Sequence, residues 1–300
     1  MVRRGAYPPP MPSPLEHLDI ASDVAATVGI HGNVGAFLAG AVCPDVDKAA
    51  RWPRSTTHWW GPRGDVSGAL RLVAARPDLR HVAPGSDIEA FVAGYLCHLV
   101  VDEQWTLRIY RRYFGRNTPF AASRDGSEHQ WALQSWMDTD LVASGRINQG
   151  VSELAATGSI ERWSSVVVGP MHGLADTFVA SVVARASLPR PVDRYRAMAE
   201  VTARANGSAG IPNAQPRLDD SRIERPTDDP GSLDAFLMRL PELEVASTAL
   251  VPSSDIEMFR ATARTASVRL IKQFMAGEAL EPPPGTAVPP YLGSPPLTDL

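Results

Sequence analysis

The run Gly94-Tyr-Leu-Cys-His-Leu-Val-Val-Asp-Glu-Gln-Trp105 reads as an apolar helix that nevertheless carries an imidazole and a carboxylate. Four residues apart, His98 and Asp102 stack on one helix face, where together they can grip a single metal ion. Gly94, one turn earlier on that face, leaves room for an ion or for another backbone to approach. The pair alone also fits a buried hydrogen-bonded couple. Its weight comes from polar groups elsewhere in the first third of the chain: His17, the loop Cys43-Pro-Asp45-Val-Asp47, and His58 in Thr56-Thr-His-Trp-Trp60. Each sits beside bulky apolar residues. Mixed nitrogen and oxygen donors from several elements suit zinc best, with manganese or iron as further fits.

The chain has 300 residues, 44% of them hydrophobic, enough to bury a sizeable core. A formal charge of −4 supplies no basic field for nucleic acid, so sequence-specific nucleic-acid binding is not expected. A phosphate-bearing substrate therefore needs a local cation, either a metal or an arginine cluster. Cys43 and Cys97 are too few for a disulfide framework, and reduced thiols are expected. The N-terminal arginines are followed by no apolar run, and no stretch reaches roughly 18 apolar residues. A cytoplasmic protein without a membrane span is the expectation.

Helical periodicity dominates, and the predicted class is all-α, a multi-helix bundle. Ser13, Pro14 and Glu16 form a capping box opening a first helix that ends near Gly29; Ser86 with Glu89 and Ser254 with Glu257 repeat the pattern. A second helix, Val34 to Cys43, is stopped by Pro44, which delivers Asp45 and Asp47 to a loop. Residues 48–63 read as an ordered loop, followed by a short helix to Ala75 and a long one from Ser86 to about Phe114. Further helices are predicted over 127–144, 148–156, 174–186, 192–205, 232–240 and 254–275. The organisation is a leader (1–11), a helical metal-binding domain (12–205), a linker (206–230), C-terminal helices packing on the main domain (231–278) and a Pro-rich tail (279–300).

Taken in order, Pro12-Ser-Pro-Leu-Glu-His17, Phe37-Leu-Ala-Gly-Ala-Val-Cys-Pro-Asp45-Val-Asp47, Thr57-His58-Trp59 and Gly94 to Asp102 resemble the zinc-dependent phospholipase C superfamily, which includes single-strand-specific zinc nucleases. The likeness covers about residues 12–105 and is strongest in the last motif. It implies a phospholipase C/nuclease-like bundle with one to three Zn2+ ions. Asp45, His58, His98 and Asp102 would bind one ion, and Asp102 would bridge to a second shared with His17. In secreted relatives a free N-terminal tryptophan completes that second ion; here sixteen residues precede His17. A third family ion needs downstream ligands. His129 with Asp138 or Asp140 are the candidates, and Gln130 and Gln134 mark the alternative, a site eroded to glutamines.

The reaction implied is metal-assisted hydrolysis of a small phosphoester or lipid head group. Asp47 and Glu103 are candidates for orienting the attacking water, although Glu103 faces about 100° from its ligand neighbour. Trp59 and Trp60 are candidate pocket walls, and Arg108, on the same long helix as the pair, a candidate phosphate contact. A non-catalytic scaffold keeping at most one structural ion is the alternative.

Overall fold

The computed structural model describes residues 11–50, 52, 54–59, 67–115, 118, 124–208 and 230–286. Among them every regular element is helical and no strand occurs, as the periodicity predicts. In chain order the helices are α1 (Pro14–Val28), α2 (Val34–Val42), α3 (Val46–Ala50), α4 (Ser55–His58), α5 (Gly68–Ala75), α6 (Asp87–Trp105), α7 (Arg124–Ser144), α8 (Asn148–Ala156), α9 (Glu161–Val167), α10 (Leu174–Ala186), α11 (Pro191–Ser208), α12 (Pro230–Leu250) and α13 (Ser253–Met275). No described helix is long and apolar enough to cross a membrane. The leader up to residue 10, most of the expected linker and the tail from 287 lie outside the described residues.

The centre of the bundle is α6, packed against α2 on one side and α13 on another, with α1 bridging α2 and α13. Gly40 and Gly94 make the α2–α6 contact possible. A Cβ on Gly94 would lie 1.9 Å from the Phe37 carbonyl oxygen, and one on Gly40 would lie 2.0 Å from that of Phe91. The space left by Gly94 is thus filled by another backbone. A smaller apolar cluster, including Trp131, Tyr195, Phe236 and Leu240, joins α7, α11 and α12.

The helix starts depart from the capping-box expectation. Ser13 Oγ does accept from the Glu16 amide at 3.2 Å. The Glu16 carboxylate, however, takes Arg260 of α13 bidentately, at 2.7 and 2.9 Å, and both residues are buried. At α6, Ser86 caps the Glu89 amide, but Glu89 accepts from Gly85 N rather than from Ser86. Helix α13 begins at Ser253 with no side-chain cap, and Glu257 pairs with Arg260 instead. In each case a tertiary or neighbouring donor has displaced the local one.

Three more elements depart from the expectation. The expected loop over 48–63 contains two short helices, the end of α3 and α4. Helix α12 runs through Pro241 to Leu250 instead of stopping at Leu240. A mid-helix proline costs about 3 kcal/mol, offset here because Leu243 is buried and Ser247 bonds both the His129 ring and its carbonyl. Beyond Trp105 the long helix continues to Phe114 with π rather than α geometry. The start of the Pro-rich tail is held in place: Gln104 Nε2 donates to Pro284 O at 3.1 Å and Arg269 Nη2 to Pro282 O at 2.8 Å.

Candidate metal centre

The α2–α6 contact places the first candidate ligand. Because the two backbones touch at Gly94, the next turn of α6 brings His98 Nδ1 to 2.7 Å from Ala41 O. A carbonyl only accepts, so the proton sits on Nδ1 and the Nε2 lone pair faces inward. One further turn carries Asp102 to the same face. Helix α2 ends in a 3-10 turn over Cys43–Asp45, started by Pro44, and this turn swings the fully buried Asp45 beneath the pair. His58 ends α4, fixed by Tyr95 Oη donating to Thr57 O and by a 2.8 Å hydrogen bond between Thr57 Oγ1 and His58 Nδ1. His17, one turn after Ser13 on α1, lays its ring parallel to that of His98 at 3.8 Å.

Four donor atoms converge. His58 Nε2 is 3.1 Å from His98 Nε2, 3.4 Å from Asp102 Oδ2 and 3.6 Å from Asp45 Oδ1. His98 Nε2 is 3.5 Å from Asp102 Oδ2 and 3.9 Å from Asp45 Oδ1. Ligands 2.0–2.2 Å from a tetrahedral ion stand about 3.3–3.6 Å from one another. These five separations fall near that range, and three groups, His58–His98–Asp102, His17–Asp45–His98 and Asp45–Asp47–His58, each bring their donor atoms within 4.8 Å of one another. The other oxygen of Asp102, Oδ1, lies 3.2 Å from His17 Nε2 on the far side. Neither His17 nitrogen, nor Asp102 Oδ1, nor Asp45 Oδ2 has a hydrogen-bond partner, although all are buried. Orphaned polar atoms of this kind cost about 1–3 kcal/mol each unless something fills the gap, and a divalent cation fits the donor set.

The protonation states suit ligation. Burial, reinforced by the neighbouring His98, pulls the His17 pKa down to about 4, and burial together with Arg54 lowers that of His58. Burial pushes the Asp45 and Asp102 carboxyls upward. Lys48 beside Asp45, and Arg54 beside Asp102, outweigh it and hold both well below the usual carboxylate range. Lys48 Nζ is 2.7 Å from Asp45 Oδ1, and Arg54 Nη2 is 2.5 Å from Asp102 Oδ2. Neither cation belongs to a motif visible in the sequence. Their one signal is that each lies within a turn of a candidate ligand.

The remaining sequence candidates are placed differently. Asp47 is buried, with Oδ2 3.9 Å from His58 Nδ1, and forms with Asp45 and His58 one of the three-residue groups that could hold an ion. Glu103 points to the start of α5, accepting from Ser67 Oγ at 2.9 Å and from Ala69 N at 3.4 Å. Burial pushes its pKa up to about 8. His129 is tied to Ser247 of α12, Asp138 accepts from Ser13 and lies 3.7 Å from Arg185 Nη2, and Asp140 is exposed, so these three do not meet. Trp59 is half-buried in a left-handed conformation (φ 53°) and packs on the core; Trp60 lies outside the described residues. Arg108 contacts Gln104 of its own helix at 3.4 Å. Cys43 and Cys97 are free thiols buried in the core, with no part in the centre.

No family model, curated protein or solved structure matches the chain.

Proposed function

We propose that the protein is a metal-dependent hydrolase of a small phosphoester, in the manner of the zinc-dependent phospholipase C superfamily that its motifs resemble. The observation that carries this reading is the convergence of His58 and His98 with Asp45 and Asp102, each histidine Nε2 standing 3.1–3.9 Å from the other histidine and from both carboxylates. Zinc is the preferred ion; manganese and iron accept the same donors. The split of Asp102, with Oδ2 toward His58 and His98 and Oδ1 toward His17, favours a second ion beside the first. Bound there, the metal would polarise a phosphoryl oxygen and make water acidic enough to attack near neutral pH.

The protein's own groups prepare that centre. Ala41 O and Thr57 Oγ1 orient the two imidazoles, while Lys48 and Arg54 keep the carboxylates ionised and in position. Two buried free thiols suit a reducing compartment such as the cytoplasm. A lipid-like and a nucleotide-like phosphodiester remain equally suited to this chemistry.

A second reading, a scaffold with one structural ion, has a specific observation behind it. The four candidate donors are all fully buried, and a closed, dry ligand set is the habit of structural zinc sites. Elemental analysis with a phosphodiesterase assay separates the two. Hydrolysis predicts about two zinc per chain and turnover of bis(p-nitrophenyl) phosphate that is lost in His98→Ala. One zinc with no turnover would leave the scaffold, and no zinc at all would sink both.

A further inference from the structure

A cavity of about 40 Å3 opens where the start of α1 meets α3, α7, α10 and α11. At 10–15 Å3 per water-sized group it holds about three such groups, too few for an acyl chain. Its lining includes Ser13, Lys48, Trp131, Gln134, Asp138 and Arg185, with Arg194 behind them. Lys48 is paired with Asp45, which leaves Arg185 and Arg194 beside Asp138.

The donors in this lining outnumber the acceptors. Arg185 Nε, Gln134 Nε2 and Trp131 Nε1 are buried and have no hydrogen-bond partner. Arg185 Nη2 stands 3.7 Å from Asp138 Oδ2, beyond hydrogen-bonding distance, and Asp138 already accepts from Ser13 Oγ. Arg194 is held by neutral groups: it donates to Leu188 O at 2.8 Å, to Pro189 O at 3.0 Å and to Thr139 Oγ1. The carboxylates of Asp138 and Glu244 also act on its charge. Unused N–H groups from a guanidinium, an amide and an indole, set in an otherwise largely apolar lining, are complementary to the oxygens of an anion. The same cavity touches the metal centre through one side chain, since Lys48 lines it while lying 2.7 Å from Asp45.

We infer that this cavity is a binding pocket for a tetrahedral oxyanion of phosphate size, read by Arg185, Gln134 and Trp131 and set beside the metal centre. As a binding site it stands without the metal. Its assignment to an anionic end of the substrate, or to the phosphate released, rests on the hydrolase reading above.

The test is calorimetric titration of inorganic phosphate into full-length protein stripped of metal with a chelator. Stripping removes any phosphate binding at the ions themselves. Saturable binding is expected in the wild type and in His98→Ala, at least ten-fold weaker in Arg185→Met and about three- to ten-fold weaker in Gln134→Leu. The second variant leaves the Arg185–Asp138 pair intact and so guards against a folding defect in the first. No binding by the metal-free wild type, or wild-type affinity in folded Gln134→Leu and Arg185→Met, overturns the pocket. Phosphate binding by a protein that takes no zinc would overturn the hydrolase and leave the pocket standing. Zinc-dependent turnover without metal-free phosphate binding would do the reverse.

Discussion

Replacing Gly94 by alanine tests the geometry on which the centre depends. The added methyl would stand 1.9 Å from Phe37 O, 2.8 Å from the carbon of the same carbonyl and 3.0 Å from Ala41 N. A comfortable carbon–oxygen contact is about 3.3 Å, so α2 and α6 must part by roughly 1.4 Å. All three obstacles are helix backbone, which cannot swing aside as a side chain would. If α6 moves as a unit, the 2.7 Å bond between His98 Nδ1 and Ala41 O opens to about 4 Å and is lost. Overpacking of this kind costs about 1–3 kcal/mol, or a drop of roughly 2–5 °C in Tm for a chain this size. Losing the orienting partner of a ligating histidine costs about 10–100-fold in metal affinity. The measurements are thermal unfolding and zinc Kd by chelator competition, with Gly32→Ala as control, since nothing lies within 4 Å of a Cβ there. Wild-type Tm and Kd in Gly94→Ala would refute the claim that backbone contact at Gly94 sets the position of His98.

Adding zinc at a hundred times its Kd should stabilise the protein by about 2.7 kcal/mol, seen as a rise in Tm, and Asp102→Ala should abolish the rise. Arg54→Met removes a cation 2.5 Å from Asp102; the metal-free variant should melt lower than wild type, yet gain more from zinc because a repelling charge has gone. Equal zinc increments in the two proteins would count against that electrostatic role. Burial raises the Glu103 pKa to about 8 from 4.5, so its protonated form favours the fold. That contribution is complete below pH 4.5 and fades by pH 8, at up to about 1.4 kcal/mol per pH unit. Glu103→Gln should flatten this slope while leaving zinc content and turnover unchanged; lost turnover with zinc retained would instead make Glu103 part of the reaction.

The parts of this architecture that sequence exposes are those written at short range. His98 and Asp102 share a face because four residues make about one turn, and Pro44 fixes where α2 stops and hence where Asp45 emerges. The all-helical class follows from periodicity alone. Groups that answer to distant partners are hidden. Glu16 carries the signature of a capping box, but its carboxylate is claimed by Arg260. Pro241 has the signature of a helix end, but packing against α7 carries α12 onward. Lys48, Arg54, Arg185 and Arg194 match no motif, because an arginine that neutralises a buried carboxylate or faces a cavity has the same local sequence as one on a wet surface. Glu103 is distinguishable from a ligand only by direction, which needs the backbone path of α6.

The Glu16–Arg260 bond joins partners 244 positions apart. Closing a loop of that length costs about 5 kcal/mol in chain entropy, recovered only after the final helix has docked. Since His17 follows Glu16 directly, the imidazole nearest the N-terminus acquires its fixed orientation at the end of assembly, not the beginning.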